Sequence, residues 1–243
     1  MNADVAKIVN KAGKTDLEKH EMNDNISAFD AAEYDNEIKR TIPYYEDFYR
    51  QVVDIAKIQF AKPVKWLDAG CGTGKMAEAA FENIDIEKFV FYDNSAKMIE
   101  TAKKRVQSAK AEFITSSILE LDKSNQFDII TAIQVFHYFH KNERMEAVKR
   151  CYRALSADGI FIIFENFAPY SEAGKELYLK RWKAYQITQG KSAIESQQHI
   201  DRYGKNYFPI TISEQLDVLK QCGFRNVEIL WVSNMQVGLL GIK

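Results

Sequence analysis

Val64-Lys65-Trp66-Leu67-Asp68-Ala69-Gly70-Cys71-Gly72-Thr73-Gly74 is the stretch that decides the fold. A short apolar run, Val64 to Asp68, enters three glycines at alternate positions, and a helical pattern over about 75–82 follows. That order reads as strand, tight turn, helix. Glycines at the turn leave no Cβ to obstruct the backbone, so the chain can bend sharply and come close to a ligand.

Working outward, the same alternation continues. Strands are expected at Lys88–Asp93, Ala111–Ile114, Phe127–Ile133 and Gly159–Glu165, with helices at Ser95–Ser108 and about 142–155 between them. Strands alternating with helices imply a parallel sheet covered on both faces. Phe161-Ile162-Ile163-Phe164, apolar throughout, fits a strand buried on both sides. Residues 170–208 are helical and polar-aromatic. A helix at Ser213–Cys222 ends at Gly223, and Val227–Val232 and Val237–Ile242 flank Ser233-Asn234-Met235-Gln236 as an antiparallel hairpin. Upstream, Ile42, Tyr45, Phe48, Tyr49, Val52, Val53 and Ala56 recur on one helical face, with Thr41 as its expected cap and Pro43 in its first turn. The expected fold is α/β: a Rossmann-like, seven-stranded, mostly parallel sheet with a C-terminal antiparallel hairpin. Residues 1–25 read as a mobile polar arm and 26–243 as one domain, with 26–60 a helical lid and 170–210 a helical cap inserted after strand 5.

Composition narrows the function classes. A formal net charge of −1 gives no global basic field for nucleic acid or anionic membrane. The clusters Lys103-Lys104-Arg105 and Lys180-Arg181-Trp182-Lys183 read as solvated helix faces. Three scattered cysteines, Cys71, Cys151 and Cys222, suit a reducing compartment. With no signal-peptide pattern in 1–25 and no run of about 18 apolar residues, a cytoplasmic protein without membrane contact is expected. No His/Cys cluster has metal-ligand spacing, so no metal is expected.

Asp93 ends the second strand, 19 residues after Gly74. A carboxylate there accepts hydrogen bonds from ribose hydroxyls, which places an adenosine-containing ligand at the carboxyl ends of the first two strands. Dinucleotide sites use G-x-G-x-x-G and a bare helix N-terminus for pyrophosphate. Here the spacing is Gly70-x-Gly72-x-Gly74 with Asp68 just upstream. A carboxylate at that place repels pyrophosphate but attracts an ammonium or sulfonium. The cofactor expected is therefore S-adenosyl-L-methionine (SAM), with S-adenosylhomocysteine as product.

As a set, the motifs resemble class I SAM-dependent methyltransferases. Val64 to Gly74 is similar to their first motif, Phe91-Tyr92-Asp93-Asn94-Ser95 to their second, Phe127 to Ile133 to the fourth-strand motif, and Arg153 to Gly159 to the turn before strand 5. The resemblance implies that Asp68, Gly70, Cys71, Gly72, Gly74, Asp93, Asn94, Ile133 and Gln134 surround the cofactor. Where many relatives carry an acid for adenine, Ser117 stands, with Ile118 to pack on the base. Over nearly the whole chain, Phe29-Asp30, Ile38 to Tyr45 and the last 70 or so residues look like the carboxy-SAM synthase branch of the tRNA wobble-uridine pathway, a methyltransferase relative that uses prephenate. That likeness would set Tyr45 and Arg40 over the methionine end. Two departures stand against carboxy-SAM chemistry. The branch's carboxylate-gripping arginine falls on Ile200, two residues from Arg202, and the branch lacks the full three-glycine loop found here.

His137 is the candidate general base, since a neutral imidazole beside the fourth strand's end can take a proton; the alternative is a packing or capping histidine. His140 reads as surface. Tyr170, Tyr178, Trp182, Tyr185, His199, Tyr203, Tyr207 and Phe208 offer an aromatic acceptor pocket or simply core. The expected activity is methyl transfer to a small-molecule acceptor, with tRNA or protein as variants. A carboxy-SAM synthase or carboxymethyl-transfer enzyme and a non-catalytic SAM-binding module stand as alternatives, and a homodimer is compatible with either.

Overall fold

The strand expected at Val64 runs from Val64 to Ala69 (β1) and lies near the middle of a seven-stranded sheet. The computed structural model describes residues 27–243, so the arm expected over 1–25 lies outside the described residues. β1 pairs in parallel with β2 (Ile86–Asp93) on one side and β4 (Phe127–Ile133) on the other. β3 (Ala111–Thr115) flanks β2, and β5 (Leu155–Asn166) flanks β4, both in parallel. The hairpin of β6 (Asn226–Ser233) and β7 (Gln236–Ile242) completes the order β3-β2-β1-β4-β5-β7-β6, with β7 antiparallel to β5. Successive strands extend the sheet one way from β1 through β2 to β3 and the other way from β4 to β5, which opens a crevice at the carboxyl ends of β1 and β4.

Period-two alternation sends neighbouring strand residues into two cores. Trp66, Phe89, Phe91, Ile129 and Ile160 pack on one face, against α2 (Tyr45–Gln59), α3 (Lys75–Asn83) and α4 (Ala96–Arg105). Leu67, Val90, Ile130 and Phe161 pack on the other, against α5 (Lys141–Ala154) and α8 (Ile212–Gln221). Phe164 is fully buried and stacks on Phe48 of α2 at 4.7 Å between ring centroids. Truncating it to alanine would cost about 3–5 kcal/mol.

Several expectations shift. β2 begins at Ile86 because Ile86 pairs with Val64, and β5 begins at Leu155 because Leu155 pairs with Phe127. The lid is two helices, α1 (Tyr34–Thr41) and α2, broken at Tyr44, which adopts φ 60°. Thr41 does not cap α2: it ends α1, its hydroxyl donating to the Glu37 carbonyl at 2.7 Å. Pro43 lies in the turn between the two helices, ahead of the first turn of α2. After β5, α6 (Glu172–Thr188) and α7 (Ala193–Ile200) pack together as a cap.

Candidate functional site

The glycine loop is folded back over the end of β2. The Gly70 and Cys71 N–H groups both donate to the Tyr92 carbonyl, at 2.6 and 3.2 Å. Gly70 holds φ 73°, and a Cβ there would stand 2.3 Å from a Val135 methyl, so a side chain would displace the turn after β4. Asp93 accepts the Gly72 N–H on Oδ2 and the Ser95 N–H on Oδ1, each at 2.9 Å. A carboxylate oxygen has two acceptor directions, so this fixing of the loop leaves capacity for a ligand hydroxyl.

Beside the loop opens a cleft of about 700 Å³. Gly70, Gly72, Asp93, Asn94, Ser117, Ile118, Ile133 and Gln134 all line it. The Ser117 hydroxyl oxygen already accepts the Leu119 N–H at 3.2 Å, capping a short 3-10 turn over Ile118–Glu120. The cleft continues into a recess of about 300 Å³ lined by Tyr45, Tyr49, Asp68, Cys71 and Thr73. Asp68 is buried there; its Oδ1 accepts the Thr131 hydroxyl at 2.7 Å, and Thr131 in turn accepts Trp66 Nε1–H at 2.9 Å. Burial pushes the Asp68 carboxyl up to about 7, opposed by the Thr131 bond and reinforced by Asp93.

A third cavity, about 380 Å³, lies between the lid, the cap and the turn after β4. Trp182, His199, Arg202 and Tyr207 face Gln134, His137 and Asn166 across it. His137 is held by a carboxylate buried at the end of β5. Glu165 accepts the backbone N–H groups of Val135, Phe136 and His137 and pairs with His137 Nδ1. With Nδ1 engaged by Glu165, Nε2 is the ring nitrogen left for a further partner. His199 is driven down to about 3 by burial, and by Arg202 and Lys191, so it is neutral and adds no cation to the wall. The expected exposure of His140 holds: it is a surface residue at the start of α5.

Two site expectations need correction. Arg40 is not at the cofactor cleft; its guanidinium donates to the Gln189 carbonyl at 3.0 Å and the Gly190 carbonyl at 2.8 Å and pairs with Glu37. Gly74 does not line the cleft either: a Cβ there would meet Ala102 at 3.1 Å, so its place in the pattern serves the packing of α4. Of the expected aromatics, Trp182, His199 and Tyr207 reach the cap cavity, whereas Tyr170 is exposed and Tyr185 donates its hydroxyl to the Lys39 carbonyl. Sequence reasoning missed Tyr34, which lines the cleft, the recess and the cap cavity alike, and Glu165. A carboxylate closing the apolar run 161–164 at a strand's carboxyl end was the available signal for Glu165.

Residues 67–159 match the family model described as a methyltransferase domain. The chain is 28% identical over 218 residues to a carboxy-S-adenosyl-L-methionine synthase of Nautilia profundicola, covering 88% of this chain and 92% of that protein. Among solved structures it is similar to the YcgJ protein of a Bacillus species, at a TM-score of 0.61 and 16% identity, covering 82% of this chain and 98% of that one. A Haemonchus contortus phosphoethanolamine N-methyltransferase, solved with S-adenosylhomocysteine, aligns at a TM-score of 0.57 and 18% identity, covering 82% of this chain and 42% of that one. Over residues 67–159 the chain is thus similar to a methyltransferase domain, and its fold is that of these solved neighbours. Among the described residues, no group of three or more His, Cys, Asp or Glu side chains is placed to hold a metal ion. No helix there is long and apolar enough to cross a membrane.

Proposed function

We propose that residues 26–243 act as one methyltransferase unit that moves the methyl group of SAM to a small-molecule acceptor held in the cap cavity. The observation that carries this is the Glu165–His137 pair with His137 facing that cavity, next to the cofactor cleft. Adenosine lies in the main cleft, its ribose on Asp93 and its base between Ser117 and Ile118. The methionine end enters the recess, where its ammonium meets Asp68. The acceptor's lone pair attacks the methyl carbon in line as the carbon–sulfur bond breaks. Sulfur keeps that bonding pair and becomes the thioether of S-adenosylhomocysteine. The acceptor's proton passes to His137 Nε2, and Glu165 stabilises the imidazolium. Much of the rate comes from alignment and from excluding water under the lid.

A second reading, carboxy-SAM synthesis, is favoured by the names of the curated relatives and by Arg202, which lines the cap cavity although Ile200 stands buried at the aligned position. Mass spectrometry of the nucleoside that copurifies separates the two. SAM or S-adenosylhomocysteine is expected, and a nucleoside heavier than SAM by one carboxylate would reverse the order. With methyl-labelled SAM and a low-molecular-weight extract, label should appear in a small product. His137→Ala should lower that transfer by about 10²–10⁴ while SAM affinity stays constant, and full activity would remove His137 as base.

A further inference from the structure

Arg144, on α5, is buried, with 1% of its surface exposed. Among the described residues it makes no ion pair, so its charge is met by neutral oxygens alone. One terminal nitrogen donates to the Gln215 side-chain oxygen of α8 at 3.3 Å. The other donates to the Phe208 carbonyl at 2.7 Å and, more loosely, to the Phe139 carbonyl at 3.5 Å. Taking a guanidinium out of water is costly, and a well-packed apolar side chain would generally serve stability as well. What the cation holds is therefore the question. Phe139 ends the turn after β4 that carries His137, and Phe208 lies on the stretch leading from the cap helix α7 into α8. The two stretches are joined directly, because the Phe208 N–H donates to the His137 carbonyl at 2.6 Å. Phe208 is thus gripped on both sides of its backbone, by His137 through the N–H and by Arg144 through the carbonyl.

We infer that Arg144 is a positioning residue for the His137–Glu165 pair, holding the turn that carries His137 and the stretch at the cap's end in one register. The inference rests on the reading of His137 as base given above. Glu165 clamps the turn through the N–H groups of Val135, Phe136 and His137. Arg144 clamps it from the α5 side, through the Phe139 carbonyl and through Phe208. An anion thus takes the donors of the turn and a cation its acceptors, and bonds to charged groups are the stronger kind. The two charges also favour each other: burial drives the Arg144 guanidinium down, and Glu165 and Glu214 oppose that shift. Tyr207, next to Phe208, sets its ring edge-on to His137 at 5.8 Å between centroids, so the same clamp places a wall of the cap cavity. A base shifted by about 1 Å can lose on the order of 10²-fold in rate.

The test measures transfer from methyl-labelled SAM into the small product, in wild type, Arg144→Met and Arg144→Lys, each also combined with His137→Ala. Arg144→Met should lower the maximal rate by about 10- to 100-fold with the KM for SAM unchanged. Arg144→Lys should recover part of it, since an ammonium keeps the charge but not the fork. With His137 already replaced by alanine, either change should cost no more than about twofold. In protein labelled with nitrogen-15 histidine, the His137 ring resonances should move in Arg144→Met and return toward wild type in Arg144→Lys. Binding of S-adenosylhomocysteine certifies the fold, and if Arg144→Met fails that check, Arg144→Lys alone decides by the same two readouts. Equal losses with and without His137 would make Arg144 a packing residue and overturn the inference, as would unchanged rates with unchanged resonances. Failure of the underlying reading looks different: His137→Ala alone would keep full activity, while the resonances still report whether Arg144 holds the ring.

Discussion

At the scale of single residues, the two carboxylates of the cleft do different work because their surroundings differ. Asp93 is half-buried and fixes the glycine loop while lining the cleft. Asp93→Ala should weaken SAM by about 1–3 kcal/mol, since ribose hydroxyls and the Gly72 and Ser95 N–H groups lose their acceptor; unchanged affinity by calorimetry would remove the ribose assignment. Asp68 is buried, and its carboxyl is pushed up to about 7. The consequence for binding has a definite sign. SAM's ammonium needs the carboxylate, so affinity should rise by about tenfold per pH step below 7 and level near it. It should fall again as the α-amino group loses its own proton near pH 8. Asp68→Asn should flatten the acid limb. The cofactor-free protein runs the other way: the folded chain holds the Asp68 proton more tightly than the unfolded one. That contribution to stability is present below pH 4 and is lost as pH rises through about 7. Asp68 and Asp93 were legible in the sequence because the first lies where a strand enters the glycine turn and the second closes the next strand. Glu165 was legible only as a carboxylate closing an apolar strand, because its significance depends on His137, 28 residues away in the chain but in contact with it.

At the scale of elements, the lid is held by a latch. Asp35 on α1 accepts the Thr73 hydroxyl and pairs with Arg105, the last residue of α4, and Arg105 donates to the Thr73 carbonyl at 2.7 Å. α1 cannot lift without separating these groups, each of them less than a third exposed. Charge-assisted hydrogen bonds of this kind cost about 1.5–3 kcal/mol to lose. Asp35→Asn should therefore speed SAM dissociation by about tenfold or more in stopped-flow measurements, with little change in the rate of entry. An unaltered exit rate would mean that the lid does not gate the site. The break between α1 and α2 was not legible, because apolar periodicity runs unbroken through Ile42 and Tyr45. Tertiary contacts make the break: Trp182 Nε1 donates to the Thr41 carbonyl at 2.6 Å, and Tyr44 turns into the left-handed region.

At the scale of the whole molecule, the strands themselves followed from local patterns, since each parallel strand announces itself by its apolar run and the helix after it. The assembly of lid and cap did not, because it is built from long-range polar bonds with no sequence periodicity. Five of these join α1 and its end to α6 and the turn beyond. Arg40 reaches the Gln189 and Gly190 carbonyls, and Tyr185 reaches the Lys39 carbonyl. Trp182 holds Thr41, and Lys191 pairs with Glu37 at 2.8 Å. Arg40 is thus a strut between lid and cap, the two walls of the cap cavity. We propose that lid and cap move as one body over the sheet. Hydrogen exchange tests this directly. Saturating S-adenosylhomocysteine should slow exchange in 34–41 and in 182–191 by similar factors, while the edge strand β6, far from the cleft in the sheet order, stays unchanged. Slowing of 34–41 alone would show that the lid closes independently of the cap. In Arg40→Ala the two segments should lose their common response, the lid keeping its protection through Asp35 and the cap losing part of its own. Should both segments respond in the variant as in wild type, the remaining bonds carry the coupling and Arg40 is dispensable to it.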